Sequence, residues 1–256
     1  MSTALVILND TKDFKKLDKD LKGRLSKAIE TETLNDSGSV DVNYISDEYQ
    51  YITVVKDSST KSKDLRDLGG KYYSKYSGKV DKIVYNVGKD KASDVYEGAK
   101  LASYKFLTYK TVTDEKHTEI VVNDSDETSS INDSVFLARD FVTEPGNVLY
   151  PAEYARRIDK ALTPLGVTVK MYHETQLKDM GFDLLLSVGQ GSVKDSYVVV
   201  MEWLKGGNKE TKALVGKGVT FDTGGISIKP SAGMCDMKYD MGGSASVVGA
   251  MHAIAS

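Results

Sequence analysis

Through its first 122 residues the chain alternates short β-branched or aromatic runs with stretches whose apolar residues recur at helical spacing, and this alternation restricts the fold more than any other feature. Ala4 to Leu8 reads as a strand. Phe14, Leu17, Leu21, Leu25 and Ile29 follow at helical spacing, then Tyr49 to Val55 as a second strand. The polar stretch Ser58 to Lys63 reads as a loop. Ile83 to Val87 repeats the strand signal, Ala92 to Tyr109 reads as one long helix with Val95, Ala99, Ala102 and Phe106 on one face, and Glu119 to Val122 is another strand. Strands and helices in this order predict an α/β domain with helices laid on a mainly parallel or mixed sheet.

Asp, Glu, Ser and Thr replace apolar residues from Asn123 to Ser130, which marks the approach to a domain boundary. Beyond it, Val135, Leu137, Ala138, Phe141 and Val142 predict a connecting helix that stops near Pro145-Gly146. Pro151 can open a helix to about Leu162, Val167 to Tyr172 reads as a strand, and Asp183 to Val188 runs into the turn Gly189 to Ser192. Tyr197 to Trp203 and Lys212 to Phe221 are predicted strands, and Gly242 to Ala255 a helix of small residues. The expected organisation is an N-terminal α/β domain over 1–130, a linking helix over 131–146, and a second α/β domain with a mixed central sheet over 147–256. There is no repeat of fixed period and no low-complexity tract.

The 256 residues are enough for one or two domains with a sizeable core. A net charge of -3 gives no general electrostatic reason to bind nucleic acid or an anionic membrane. Cys235 is alone, so no intramolecular disulfide and no cysteine-based zinc cage can form. The apolar run Ala4 to Leu8 is too short for a signal-peptide core or a membrane span. These features point to a cytoplasmic protein with no nucleic-acid or membrane partner.

Chemistry concentrates between Val215 and Asp240. Lys217 and Asp222 lie near the end of a predicted strand, where ligands collect in α/β sheets. Gly216-Lys217-Gly218 superficially resembles a phosphate loop, but that motif requires Ser or Thr directly after the Gly-Lys pair, and Gly218 breaks it. A metal site is the better reading. Carboxylates from Asp222 and Asp240 repel each other unless a cation compensates, and divalent ions favour such hard oxygen ligands. Beside a dication the pKa of Lys217 falls until its neutral amine can coordinate. Lys229 sits far enough along a glycine-bearing loop to curl back and offer a cation to a developing oxyanion. A plain Lys217–Asp222 ion pair at a strand end is the competing explanation.

The segment Val215 to Gly243, VGKGVTFDTGGISIKPSAGMCDMKYDMGG, resembles the metal-binding region of the leucine aminopeptidase (cytosol aminopeptidase) family. The likeness extends through Glu97 to Tyr104, Ala138 to Leu149 and Val188 to Ser192. The resemblance implies that Asp222 bridges two divalent metals, zinc with manganese or magnesium as replacements, while Lys217 and Asp240 complete the ligation of one. It makes Lys229 the catalytic lysine that polarises the scissile carbonyl of the bound substrate, and Met237 part of the pocket for the first side chain. The implied activity is release of N-terminal residues, preferably Leu and other apolar ones, from peptide substrates, by a homo-oligomer, a hexamer, with a smaller N-terminal α/β domain.

Family members carry a further Asn-Thr-Asp-Ala-Glu-Gly-Arg type motif with more metal ligands and an arginine, and no such motif occurs here. The expectation is that this polypeptide by itself is inactive or poorly folded, or serves as a structural or assembly partner. A nucleotide-binding role for the N-terminal domain lacks a phosphate-cradling glycine loop. His117, His173 and His252 have no ligand spacing. Met234 and Met241 read as packing residues, and Cys235 as a loop position.

Overall fold

The computed structural model describes residues 2–31, 39–42, 48–56, 61–111, 117–123, 130–207 and 209–256, with the backbone alone at 31, 39–42 and 130. The chain divides into two compact units, Met1–Ser129 and Ser130–Ser256. The polar run Asn123 to Ser130 lies, from 124 to 129, outside the described residues. Among the described residues no helix is long and apolar enough to cross a membrane.

The first unit is built on a five-stranded sheet, β1 (Thr3–Leu8), β2 (Ser39–Val42), β3 (Tyr51–Val55), β4 (Lys82–Asn86) and β5 (Glu119–Val122), in the order β2-β3-β1-β4-β5. β1 runs parallel to β3 and β4, with Val6 opposite both Thr53 and Tyr85; β4 runs parallel to β5, and β2 closes the edge antiparallel. Side chains alternate across β1. Ala4, Val6 and Leu8 enter one core with Tyr72 and Tyr76 of α3 (Ser62–Tyr76) and Ala92 and Val95 of α4 (Lys89–Ala102). Leu5 and Ile7 enter the other, with Phe14 of α1 (Lys12–Asp20) and Leu25 of α2 (Arg24–Thr31). Burial on both faces explains why β1 reads as an uninterrupted apolar run.

Three expectations need correction here. The helix from Phe14 to Ile29 is two helices, because the chain turns at Leu21–Gly23 with positive φ at Lys22 and Gly23, and the Asp18 carboxylate accepts from the amides of Leu25 and Ser26 at 2.9 and 3.0 Å. The helix from Ala92 does not reach Tyr109. It ends at Ala102, where the Ser103 hydroxyl donates back to the Lys100 carbonyl. Helix α3 starts at Ser62, inside the stretch read as a loop, and was not predicted.

The second unit contains α5 (Ser130–Thr143), α6 (Pro151–Leu162), β6 (Thr168–His173), α7 (Glu174–Asp179), α8 (Asp183–Gly189), β7 (Tyr197–Glu202) and α9 (Gly242–Ala255). Pro151 stands at the start of α6, where its missing N–H costs no hydrogen bond. Phe141, Leu149, Tyr154, Ile158, Leu162, Met241, Ala245 and Val248 form the core between α5, α6 and α9.

A mixed central sheet is not formed among the described residues: β6 and β7 make an antiparallel pair, with Met171 opposite Val199. The predicted strand Lys212 to Phe221 is absent, since nothing among the described residues pairs with it as a ladder. Val215 is consequently 94% exposed. The Lys217 carbonyl turns instead to the Ser244 amide, 2.9 Å away at the start of α9.

Candidate metal centre

The site is assembled by α9 rather than by a strand end. Gly216 lies so close to this helix that a Cβ there would come within 2.5 Å of Ser244 Cα and 2.6 Å of the Gly243 carbonyl oxygen, so only glycine lets the chain pass. The next residue, Lys217, therefore emerges beside the turn that precedes α9. In that turn Asp240 ends a short 3-10 helix, Met234–Tyr239, and its amide donates to the Met237 carbonyl.

Two lysine–carboxylate pairs result. Lys217 Nζ lies 2.8 Å from Asp240 Oδ1 and 2.8 Å from Oδ2. Lys229 Nζ lies 2.6 Å from Asp222 Oδ2 and donates to the Asp222 carbonyl at 3.1 Å. The competing Lys217–Asp222 pair is not the one formed. The loop between Asp222 and Lys229 is closed by the Gly224 amide on Asp222 Oδ1 at 2.9 Å and by the Lys229 amide on the Thr223 carbonyl at 2.9 Å. Gly224 takes φ 91°, and a side chain there would strike the Ser227 carbonyl.

Electrostatics follow from the pairing. The hydrogen bond to Asp240 raises the pKa of Lys217. Asp222 is held below the ordinary carboxylate range by the Lys229 hydrogen bond and then by the Gly224 amide. Without a bound ion, then, both carboxylates are neutralised by ammonium groups. Asp240 Oδ2 is buried and receives no well-directed hydrogen bond, although the Lys217 ammonium stands close by. An electron-rich oxygen left in that state, beside an amine, fits a hard divalent cation in kind. No cluster of three or more His, Cys, Asp or Glu side chains suited to a metal occurs among the described residues.

Met237 is half-buried in the 3-10 helix, and Cys235 beside it is exposed. Met241 is fully buried in the core. His252 Nδ1 meets the Ser134 hydroxyl at 2.8 Å between α9 and α5, away from any ligand cluster.

Sequence reasoning missed Tyr154 and Ser244. The Tyr154 hydroxyl meets Ser244 Oγ at 3.0 Å, and Ser244 Oγ donates to the Met241 carbonyl at 2.7 Å. Tyr154 is a core position by periodicity, and Ser244 hides in a small-residue run. Their pairing across 90 residues leaves no local signal.

Residues 136–256 match the model of the cytosol aminopeptidase family, catalytic domain. A probable cytosol aminopeptidase of Wolbachia pipientis wMel is 44% identical over 216 residues, covering 78% of this chain and 43% of that protein. One from Rickettsia felis is 50% identical over 179 residues, covering 64% and 36%. The chain thus spans less than half the length of these relatives. Among solved structures, a tomato leucine aminopeptidase mutant has a TM-score of 0.76 at 21% identity, covering 99% of this chain and 56% of that one. The bottromycin maturation enzyme BotP in complex with Mn has a TM-score of 0.73 at 24% identity, covering 99% and 56%. These two likenesses concern the fold.

Proposed function

Because this chain belongs to the cytosol aminopeptidase family, we propose that it contributes Lys217, Asp222 and Asp240 to a two-metal centre for removing N-terminal residues from peptides. The observation that carries this reading is that both carboxylates are paired with lysines within the family-matching segment, with Asp222 and Lys217 feeling each other's charge across the two pairs.

In this reading Asp222 would be shared between two divalent ions, and Lys217 and Asp240 would help to hold one of them. Zinc is the leading metal, with manganese or magnesium as alternatives; the Mn complex of BotP supports manganese. Ions bound there supply Lewis acidity and lower the pKa of a bound water. Lys217 must give up its proton to ligate, which frees Asp240 from the ammonium. Lys229 keeps its charge, and once the Asp222 carboxylate turns to a metal it can face the oxyanion that develops on the scissile carbonyl. Met237 lines the pocket for the first side chain, preferably Leu or another apolar residue.

The same reading assigns 1–130 to an N-terminal domain, 131–146 to a linker and 147–256 to a catalytic domain, in a hexamer acting in the cytoplasm. The relatives' name supports that location.

Coordination arithmetic favours a second reading. In it this chain serves as a non-catalytic structural or assembly partner, since two ions of about four or more ligands each need more donors than two carboxylates and one amine. Hydrolysis of a leucyl amide by the Mn²⁺-loaded chain separates the two. Turnover that disappears in Lys229→Ala supports the enzyme; metal uptake without turnover supports the partner.

A further inference from the structure

The Tyr154 side chain is buried in the core of the second unit, packed edge-on against Phe141 with ring centroids 5.1 Å apart. Its hydroxyl points out of that core to Ser244 Oγ. Ser244 has one hydroxyl proton, and that proton is given to the Met241 carbonyl at 2.7 Å. Tyr154 must therefore be the donor to Ser244, and the chain of bonds runs in one direction, from Tyr154 through Ser244 to Met241. Burial pushes the Tyr154 phenol up to about 12, so it keeps the proton it donates throughout the neutral range.

The middle and the far end of this relay each adjoin the backbone of a proposed metal ligand. Met241 directly follows Asp240. The Ser244 amide is one of the N–H groups that a helix start leaves without an internal partner, and α9 has no side-chain cap at Met241. That amide is satisfied by the Lys217 carbonyl at 2.9 Å. One serine thus holds both the turn that carries Asp240 and the segment that carries Lys217.

We propose that Tyr154 and Ser244 are positioning residues, which fix Lys217 against Asp240 by anchoring both backbones to the α6 core. The metal-binding part of this inference rests on the function proposed above, whereas the anchoring stands without it. The segment needs such an anchor because it has no strand ladder among the described residues. Its backbone direction would otherwise depend on exposed side chains.

Tyr154→Phe, Ser244→Ala and the double variant of the 256-residue chain test this by amide hydrogen exchange without metal and by Mn²⁺ titration. Tyr154→Phe keeps the ring packing, and Ser244→Ala removes a single oxygen. In each single variant the amide at position 244, corrected for the intrinsic rate of the residue there, exchanges about five- to tenfold faster, the size of one lost hydrogen bond, while Ile158 and Leu162 amides in α6 are unchanged. Mn²⁺ affinity falls by about three- to tenfold, and the double variant is no worse than the weaker single one, because both act through one relay. Unchanged exchange at position 244 in both single variants overturns the proposal, as does faster exchange spread evenly through the second unit, or additive effects in the double variant. Failure of the unaltered chain to bind Mn²⁺ overturns the metal reading, and the exchange result then decides the anchoring alone.

Discussion

Lys229 reaches back across the six residues that separate it from Asp222, placing its ammonium 2.6 Å from the carboxylate and 3.1 Å from the carbonyl oxygen of the same residue. A cation is thereby delivered to the carboxylate proposed to bridge two metals. The same geometry neutralises Asp222 while no ion is bound. Lys217 does this for Asp240, so under the proposed function metal binding would exchange an ammonium for a dication at each carboxylate.

Metal affinity rises with pH. Lys217 is protonated well into the alkaline range, its pKa raised first by the hydrogen bond to Asp240, so a proton must leave before the amine can ligate. Below that raised pKa, Mn²⁺ affinity is expected to fall by up to about tenfold per unit of pH for each proton displaced. Calorimetry in buffers of different ionisation enthalpy counts the protons; a pH-independent affinity with no proton release contradicts Lys217 as a ligand.

Gly216→Ala disrupts the site through its support. The added methyl meets backbone atoms of Gly243 and Ser244, which cannot move without shifting α9, and about 1–3 kcal/mol of stability is expected to be lost with metal affinity. Gly218→Ala is the control, since its Cβ meets Ser244 Oγ at 3.4 Å, an ordinary contact. Thermal unfolding of the two variants checks the contrast.

Glu153 contributes to acid stability. Hydrogen bonds from Arg156 and Arg157 lower it from 4.5 to about 2. A depressed carboxyl stabilises the fold above its unfolded value, so its contribution is complete above about 4.5 and is lost as pH falls toward about 2. Glu153→Gln is expected to cost about 0.5–1 kcal/mol at neutral pH, in the range of exposed ion pairs, and nothing near pH 2. Denaturant unfolding across this interval measures the difference.

Glu144→Ala is expected to cost more, about 1.5–2 kcal/mol, because it removes the buried carboxylate 2.7 Å from Arg157 Nη1, although Glu153 still accepts from Arg157 Nε at 2.7 Å. Glu144 is only 5% exposed. Its loss is read from the unfolding midpoint.

Local periodicity made β1, β3, β4 and β5 legible, because each is a short apolar run, and it identified α6 through Pro151. It failed where a turn rather than a period decides: the positive φ at Lys22 and Gly23 divides one apparent helix into two. It failed at α3 because Gly69 and Gly70 interrupt a pattern that Leu65, Leu68, Tyr72 and Tyr76 carry. The run Lys212 to Phe221 has strand composition, but a strand also needs a neighbour, and that information is not local. Within the site, Lys217, Asp222, Lys229 and Asp240 stood out by residue type and spacing. Which lysine meets which carboxylate did not, since the Lys217–Asp240 pairing is set by the contact of Gly216 with α9.

Calorimetric titration of Mn²⁺ into the chain and into Asp222→Ala tests the central claim most directly. The account predicts saturable binding by the unaltered chain and a loss of about 100-fold or more when the bridging carboxylate is removed. No binding by the unaltered chain, or equal binding by both, contradicts it.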